Sequence, residues 1–141
     1  MQVRDIMSTD VVTVGADATV AAAVDRLLDH SVGSVIVVDD GTPTGIVTES
    51  DALRVARETG KALSDIGVSE VGHAPVVTTD PSRSVASVAR RMTDEGVKKV
   101  PVMDGVDLVG IVTMTDIVWR LPELRQETSD ISTLREEWSP D

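Results

Sequence analysis

Three short apolar runs in the first part of the chain predict β-strands. They are rich in Val and Ile and are bounded by Gly, Asp and Pro, which favour turns. The runs at 34–38 and 45–47 are continuous, as expected of strands buried on both faces. The run at 11–14 is the predicted first strand, and Asp-Gly and Pro within 39–44 predict the turn between the other two.

Residues 17–30 and 49–59 have the apolar spacing of helices. In the first of these helices, the apolar residues expected to face inward are Val20, Val24, Leu27 and Leu28. Asp17 or Thr19 is expected to cap its start, since either side chain can accept a bond from a free amide of the first turn. The predicted order is therefore strand, helix, strand, strand, helix.

The whole pattern occurs a second time, 65 residues later. Residues 45–48 and 110–113 both read Gly-Ile-Val-Thr, and residues 11–13 and 76–78 both read Val-Val-Thr. Ungapped identity at one fixed offset indicates a duplication.

The second copy has the same elements in the same order. Its predicted strands and helices are 76–79, 81–95, 99–103, 108–112 and 115–121. In its first helix Val85, Val88 and Met92 are expected to face inward. Trp119 is expected to pack in the last helix, and Pro122 to end it.

The fold expected from this pattern is mixed α/β, with two β-α-β-β-α repeats packed about a pseudo-two-fold axis. Neither small sheet could bury both of its faces alone. The expected boundaries are 1–60 for the first repeat, 61–121 for the second (including a linker at 60–74) and 122–141 for an acidic tail.

Charge and composition exclude several classes of function. The net charge is −11, which argues against a nucleic-acid-binding protein. Cysteine is absent, which excludes disulfides and thiolate metal sites, and no apolar run is long enough for a membrane span. We expect a cytoplasmic protein. Ten arginines against three lysines, with many acidic residues, resemble proteins of salt-in halophiles; an ordinary acidic surface is the alternative.

Each copy ends in the motif Thr-x-x-Asp at the start of a predicted helix. The two examples are Thr48 with Asp51 and Thr113 with Asp116. The motif is a helix capping box, which is its structural interpretation. It also suits a nucleotide: the helix N-terminus and the Thr hydroxyl favour a phosphate, and the carboxylate can accept both ribose hydroxyls. The glycine before each motif would let a ligand approach the backbone.

Two copies of this pattern, each ending in Gly-Ile-Val-Thr-x-x-Asp, resemble a tandem CBS-domain protein, or Bateman module. The resemblance covers residues 3–121 and includes Val-Pro-Val-Met-Asp at 100–104. It implies two clefts between the repeats, which bind AMP, ADP, ATP, S-adenosylmethionine or related ligands and regulate a partner protein. Each cleft takes its Thr and Asp from one repeat and its adenine-facing wall from the other.

Carried over by position, the resemblance implies two sets of ligand-binding residues. The first cleft would use Ile46, Thr48, Asp51, Val77, Val97, Lys98 and Lys99. The second would use Asp10, Val12, Val32, Gly33, Ser34, Ile111, Thr113 and Asp116. The first cleft is favoured because two of the three lysines lie beside its expected phosphate site, although Glu49 opposes this. Protection of a strand edge is the other role open to the lysines.

The predicted function is a stand-alone regulatory module that is not an enzyme and has no catalytic cofactor or metal. No phosphate-binding loop, nucleophile elbow or metal-ligand cluster is present in the sequence. The alternative is a scaffold or dimerisation module without a small-molecule ligand. We expect a homodimer, since lone modules of the resembled family commonly pair through helices, and a regulated target on another chain.

Overall fold

A computed structural model describes residues 1–72 and 76–124 of the chain. Helices and strands alternate through these residues, which confirms the mixed α/β class. Of the expected acidic tail at 122–141, all but residues 122–124 lie outside the described part of the chain.

The chain forms two compact units, whose bounds differ from those expected from the sequence. One is Asp10–Val76, and the other combines Met1–Thr9 with Val77–Asp141. The N-terminal segment belongs to the unit of the second copy because the Val3 amide donates to the Arg83 carbonyl at 2.8 Å. The Val3 side chain is fully buried in that unit's core.

The unit of the first copy has a three-stranded sheet. Its elements are β1 (Thr13–Gly15), α1 (Val20–His30), β2 (Ser34–Asp39), β3 (Thr42–Thr48) and α2 (Glu49–Thr59). The central strand β2 pairs with β1 in parallel and with β3 in antiparallel orientation. This is the predicted order of elements, with small shifts at the strand ends.

The turn between β2 and β3 is shorter than predicted. It consists of Asp40 and Gly41, whose φ angles of 52° and 80° suit a two-residue hairpin turn. Because the turn is short, β3 begins at Thr42 rather than at Gly45.

The start of α1 confirms one of the two expected caps. The Thr19 hydroxyl accepts from the Ala22 amide at 3.2 Å. Leu28, expected to face inward, is instead exposed, and Ala23 is fully buried. The face that the helix turns to the core is therefore rotated toward Ala23 relative to the predicted one.

The segment after α2 also packs on the first copy. It contains two single-turn 3₁₀ helices, Leu63–Asp65 and Val68–Glu70. The Val68 amide donates to the Ala18 carbonyl at 2.9 Å, and the Val68 side chain is fully buried. This contact repeats that of Val3 with the second copy, since both pairs of residues are 65 positions apart.

The unit of the second copy has a two-stranded antiparallel sheet. Its helices and strands are a 3₁₀ helix at Val3–Asp5, α3 (Val85–Glu95), β4 (Lys99–Asp104), β5 (Asp107–Thr113), α4 (Met114–Trp119) and α5 (Leu121–Leu124). The three residues of α3 predicted to face inward are all buried, namely Val85, Val88 and Met92.

The predicted strand at 76–79 is wrong for the described residues of that range. Only Thr79 bridges to β4, through bonds to Pro101 and Met103. In the first copy the Ile36 amide donates to the Val12 carbonyl at 2.9 Å. Pro101 stands at the position of Ile36 and has no N–H, so this bond cannot form in the second copy.

The last helical region departs from prediction in two ways. Helix α4 ends at Trp119 with Arg120 as its C-cap, and Pro122 lies inside α5 rather than ending α4. Trp119, expected to pack, is 77% exposed. The buried position of this helix is Ile117, two residues earlier.

Candidate functional site

The first Thr-x-x-Asp motif forms the start of α2. The Thr48 hydroxyl accepts from the Asp51 amide at 3.2 Å, and Asp51 Oδ2 accepts from the Thr48 amide at 2.9 Å. This reciprocal capping box confirms the structural interpretation of the motif. Asp51 is only 6% exposed, and its Oδ1 lies 3.4 Å from Nη1 of Arg54. Both carboxylate oxygens of Asp51 therefore have partners.

The second motif forms the same capping box, but its carboxylate accepts fewer hydrogen bonds. The Thr113 hydroxyl accepts from the Asp116 amide at 3.1 Å, and Asp116 Oδ2 accepts from the Thr113 amide at 2.9 Å. Trp119 stands where the first copy has Arg54, so no guanidinium reaches Asp116 from that position. Oδ1 of Asp116 has no hydrogen-bond partner among residues 1–72 and 76–124.

In the unit of the first copy, the strand pairing brings several of the expected site residues toward one end of the sheet. Ser34 begins β2 directly opposite Thr48, which ends β3. The segment before β1 reaches the same end, since the Ile36 amide binds the Val12 carbonyl. The expected site residues of this unit are Asp10, Val12, Val32, Gly33, Ser34, Ile46, Thr48 and Asp51.

The unit of the second copy gathers its expected residues in the same way. Lys99 pairs with Thr113 across the two strands, and the Met114 amide donates to the Lys98 carbonyl at 2.9 Å. The lysine pair therefore lies beside the second Thr-x-x-Asp motif along the backbone. The expected site residues of this unit are Val77, Val97, Lys98, Lys99, Ile111, Thr113 and Asp116.

Apolar side chains at both sheet ends are only half buried. They are Val12, Val32 and Ile46 in one unit and Val77, Val97 and Ile111 in the other. A half-buried apolar surface beside a carboxylate and a helix N-terminus combines the features that an adenine, a ribose and a phosphate require.

The glycine before the second motif does not make room for a ligand. A Cβ at Gly110 would lie 2.7 Å from Sδ of Met7 and 2.9 Å from the carbonyl oxygen of Ser8. Ser8 and Ile111 exchange backbone bonds at 2.9 Å in both directions. The expectation of ligand approach at this glycine is therefore wrong, because the N-terminal segment occupies the space.

Two features of the site escaped the sequence analysis. Arg54 lies one turn after Asp51, and the three-residue spacing is a signal that could have paired them. The packing of Met7 against Gly110 joins residues about a hundred positions apart, and no local pattern indicates it.

The part of the chain that the structure describes contains no group of three or more His, Cys, Asp or Glu able to hold a metal ion. None of its helices has the length and apolar character that crossing a membrane requires.

The duplicated fold and its paired motifs define a known class of protein. Residues 3–58 and 68–123 each match the CBS domain. These ranges cover most of the chain, so it belongs to the CBS-domain family and carries two CBS domains.

Particular members of the family are similar over most of this chain. CBS domain-containing protein YhcV of Bacillus subtilis is 32% identical over 116 residues, which are 82% of this chain and 81% of YhcV. Protein MJ1404 of Methanocaldococcus jannaschii is 31% identical over 138 residues, which span 89% of this chain but only 33% of that longer protein.

A solved structure with the same fold is the CBS domain pair of protein MJ0100, in complex with 5′-methylthioadenosine and S-adenosyl-L-methionine. It is 27% identical, has a TM-score of 0.76, and the match covers 87% of this chain and 97% of that chain.

Proposed function

We propose that this chain is a regulatory module that binds an adenosine-type ligand, such as AMP, ADP, ATP or S-adenosylmethionine, and that it catalyses no reaction. The observation that carries the proposal is the paired Thr-x-x-Asp motif at a half-buried apolar sheet end in each CBS domain. The adenosyl ligands in the related MJ0100 domain pair support it. The regulated target would be another protein, and the compartment the cytoplasm.

Each motif offers a defined set of groups to such a ligand. The Thr hydroxyl and the free amides of the helix start would bind a phosphate or carboxylate, and the Asp carboxylate would accept the ribose hydroxyls. The half-buried Val and Ile side chains would contact the adenine ring. The two clefts expected from the sequence each draw on both units, and their composition stays a prediction.

The state of the two carboxylates favours the Asp116 motif as the stronger ribose site. A ligand at Asp51 would compete with Arg54 for Oδ1, whereas Oδ1 of Asp116 is open among the described residues. Lys98 and Lys99 lie beside Thr113 in the same unit and would add positive charge for a phosphate. The lysines suggested instead that the ligand prefers the first cleft, and the Asp51→Asn variant tests that alternative.

Ligand-induced stabilisation tests the function directly. Thermal melting of the full chain is measured with AMP, ADP, ATP, S-adenosylmethionine, 5′-methylthioadenosine and guanosine monophosphate in turn. A ligand at about 100 times its Kd stabilises the folded state by about 2.7 kcal/mol, which is a readable shift. We expect an adenosyl compound to raise the melting temperature and the guanosine control to leave it unchanged.

The capping boxes also support a second candidate function. Both motifs form a reciprocal capping box within the chain, so the Thr and Asp residues have a structural role without any ligand. If none of the adenosyl compounds shifts the melt, a scaffold or dimerisation module is the better description.

A homodimer is part of the proposal, and exposed apolar side chains on the second helix of each domain support it. Leu53 on α2 is 74% exposed, its counterpart Val118 on α4 is 49% exposed, and the adjacent Trp119 is 77% exposed. Large apolar side chains exposed on the same helix of each domain are typical of interaction surfaces, and Trp is enriched at interface hot spots.

We expect Trp119→Ser to weaken self-association by about tenfold or more, because loss of a hot-spot aromatic costs about 2 kcal/mol or more. Sedimentation equilibrium measures the dimer dissociation constant. Val106→Ser is the matched control, since Val106 is also highly exposed but lies in the β4–β5 turn. A monomeric wild-type protein, or equal weakening by both substitutions, would contradict the proposed interface.

A further inference from the structure

The unit of the second copy contains a cavity at the end of the sheet opposite its Thr-x-x-Asp motif. The motif lies where β4 begins, at Lys99 opposite Thr113. The cavity reaches Met103 and Gly105, where β4 ends and turns into β5. Its volume is about 300 Å³, and a narrower extension of about 50 Å³ continues between α3 and β4. It is therefore a separate feature from the proposed adenosyl site.

The walls of this cavity carry guanidinium and hydroxyl groups. Arg83, Ser87 and Arg91 are spaced by four residues, which places them along one side of α3 and its entry. Thr78 and Thr79 line the facing wall. Arginine with hydroxyl donors is the combination that binds phosphate oxygens, because the planar guanidinium can donate two parallel hydrogen bonds.

The two arginines that line the cavity differ in the hydrogen bonds and ion pairs that they form with the described residues. Arg91 makes no hydrogen bond or ion pair with any of the described residues. Nε of Arg83 lies 3.4 Å from Asp80 Oδ2. The amide and hydroxyl of Ser82 donate to Oδ1 of Asp80 at 2.9 and 2.5 Å, and these bonds lower the pKa of Asp80. Two positive charges therefore face one carboxylate, which leaves the cavity basic in a protein of net charge −11.

The first copy lacks most of these groups at the equivalent positions. Ala18 stands in place of Arg83, Ala22 in place of Ser87, and Gly15 in place of Asp80. Val14 stands in place of Thr79, whereas Arg26 and Thr13 keep the counterparts of Arg91 and Thr78. The duplicated fold does not itself need a polar cluster here, since the first copy forms the equivalent helix α1 and the equivalent strand pair β2–β3 without it.

We propose that this cavity is an oxyanion site that binds a phosphate group, separate from the adenosyl site, with Arg91 and Arg83 as the charged ligands and the hydroxyls of Thr78, Thr79 and Ser87 as donors. A volume of about 300 Å³ is enough for a small phosphorylated molecule rather than a single ion. The phosphate source is therefore either free phosphate or pyrophosphate, or the phosphoryl end of a small metabolite.

Calorimetric titration of the full chain with sodium pyrophosphate, and separately with sodium phosphate, tests the site at constant ionic strength. We expect saturable binding that Arg91→Gln weakens by about tenfold or more, as for loss of a charged hydrogen bond. Arg26→Gln is the matched control, because it removes the equivalent arginine from the first copy. Tighter binding of pyrophosphate than of phosphate would indicate a ligand larger than a single phosphate.

Three results would overturn the proposal. The first is no binding of either anion by the wild-type protein. The second is equal weakening of the affinity by Arg91→Gln and Arg26→Gln. The third is loss of binding in the double variant Lys98→Gln/Lys99→Gln while Arg91→Gln binds as tightly as the wild type. The last would place the phosphate at the adenosyl site instead. Unphosphorylated 5′-methylthioadenosine separates the two proposals, because its binding tests the adenosyl site alone and should not change in Arg91→Gln.

Discussion

Replacing Asp116 with asparagine is expected to weaken adenosyl-ligand binding by about 10-fold to 100-fold, the range for a lost hydrogen bond to a charged group. The asparagine oxygen can still accept from the Thr113 amide, so the capping box and the helix start should survive. The lost group is the negative oxygen that has no partner among the described residues and would accept the ribose hydroxyls. Calorimetric titration with S-adenosylmethionine and AMP measures the change in Kd.

Asp51→Asn is the matched control for this variant, because Asp51 occupies the same position of the first motif. We expect it to change the Kd by less than about threefold, since Arg54 already holds the second oxygen of Asp51. If Asp51→Asn abolishes binding and Asp116→Asn does not, the first cleft is the functional one, as the lysine pair suggested. If neither variant changes a measurable affinity, the carboxylates act only as helix caps.

Replacing Gly110 with alanine is expected to destabilise the protein by about 1–3 kcal/mol, the usual cost of inserting a methyl group into filled space. The new Cβ would lie 2.9 Å from the Ser8 carbonyl oxygen and 2.7 Å from Met7 Sδ. The sulfur can move, but the carbonyl is held by its bond with the Ile111 amide. Urea denaturation followed by circular dichroism measures the free energy of unfolding.

Gly67→Ala serves as the control for the general effect of adding a methyl group to a glycine. At Gly67 the nearest atom to a new Cβ is the flexible carboxylate oxygen of Glu70, at 3.4 Å. Its φ and ψ of −78° and 145° suit alanine, so this substitution should be neutral or slightly stabilising. An unchanged stability in Gly110→Ala would show that the N-terminal segment does not pack on β5 in solution.

The helices were the elements best predicted from the sequence, because their end signals are local. For α2 the predicted range, 49–59, agrees with the structure, and both ends carry strong signals. Thr48 provides the N-cap and Gly60 adopts the left-handed conformation after the last turn. Because the pattern occurs twice, the second copy independently predicted the same order of elements.

The strands were predicted less well, because a strand depends on its neighbour. Residues 76–78 repeat the Val-Val-Thr sequence of the first copy, yet a single bridge at Thr79 replaces the three-residue strand β1. The cause is Pro101 on the adjacent strand, more than twenty positions away. Local propensity could not have revealed that the partner lacks an amide.

In the candidate site, too, local features were predicted from the sequence and the side-chain contacts were not. The sequence identified both Thr-x-x-Asp motifs and the role of each as a helix cap, since the capping box spans only four residues. The resemblance assigned Lys98 and Lys99 to the first cleft, which stays a prediction, whereas along the backbone Lys99 pairs with Thr113 of the second motif. The structure added that Arg54 holds Asp51 while Asp116 keeps an open oxygen, a difference between side chains that the repeated letters of the motif do not contain.

By itself, then, the sequence determined the duplicated α/β pattern and the helix starts, because these follow from periodicity and local capping chemistry. Its resemblance to the CBS-domain family indicated the class of ligand to test. Only the tertiary structure decided that Met1–Thr9 joins the second copy, that Trp119 is exposed, and that Arg83 and Arg91 line one cavity with Thr78. Each of these depends on contacts between residues far apart in the chain. Such contacts are selected by the packing of the whole unit and leave no periodic signal in the sequence.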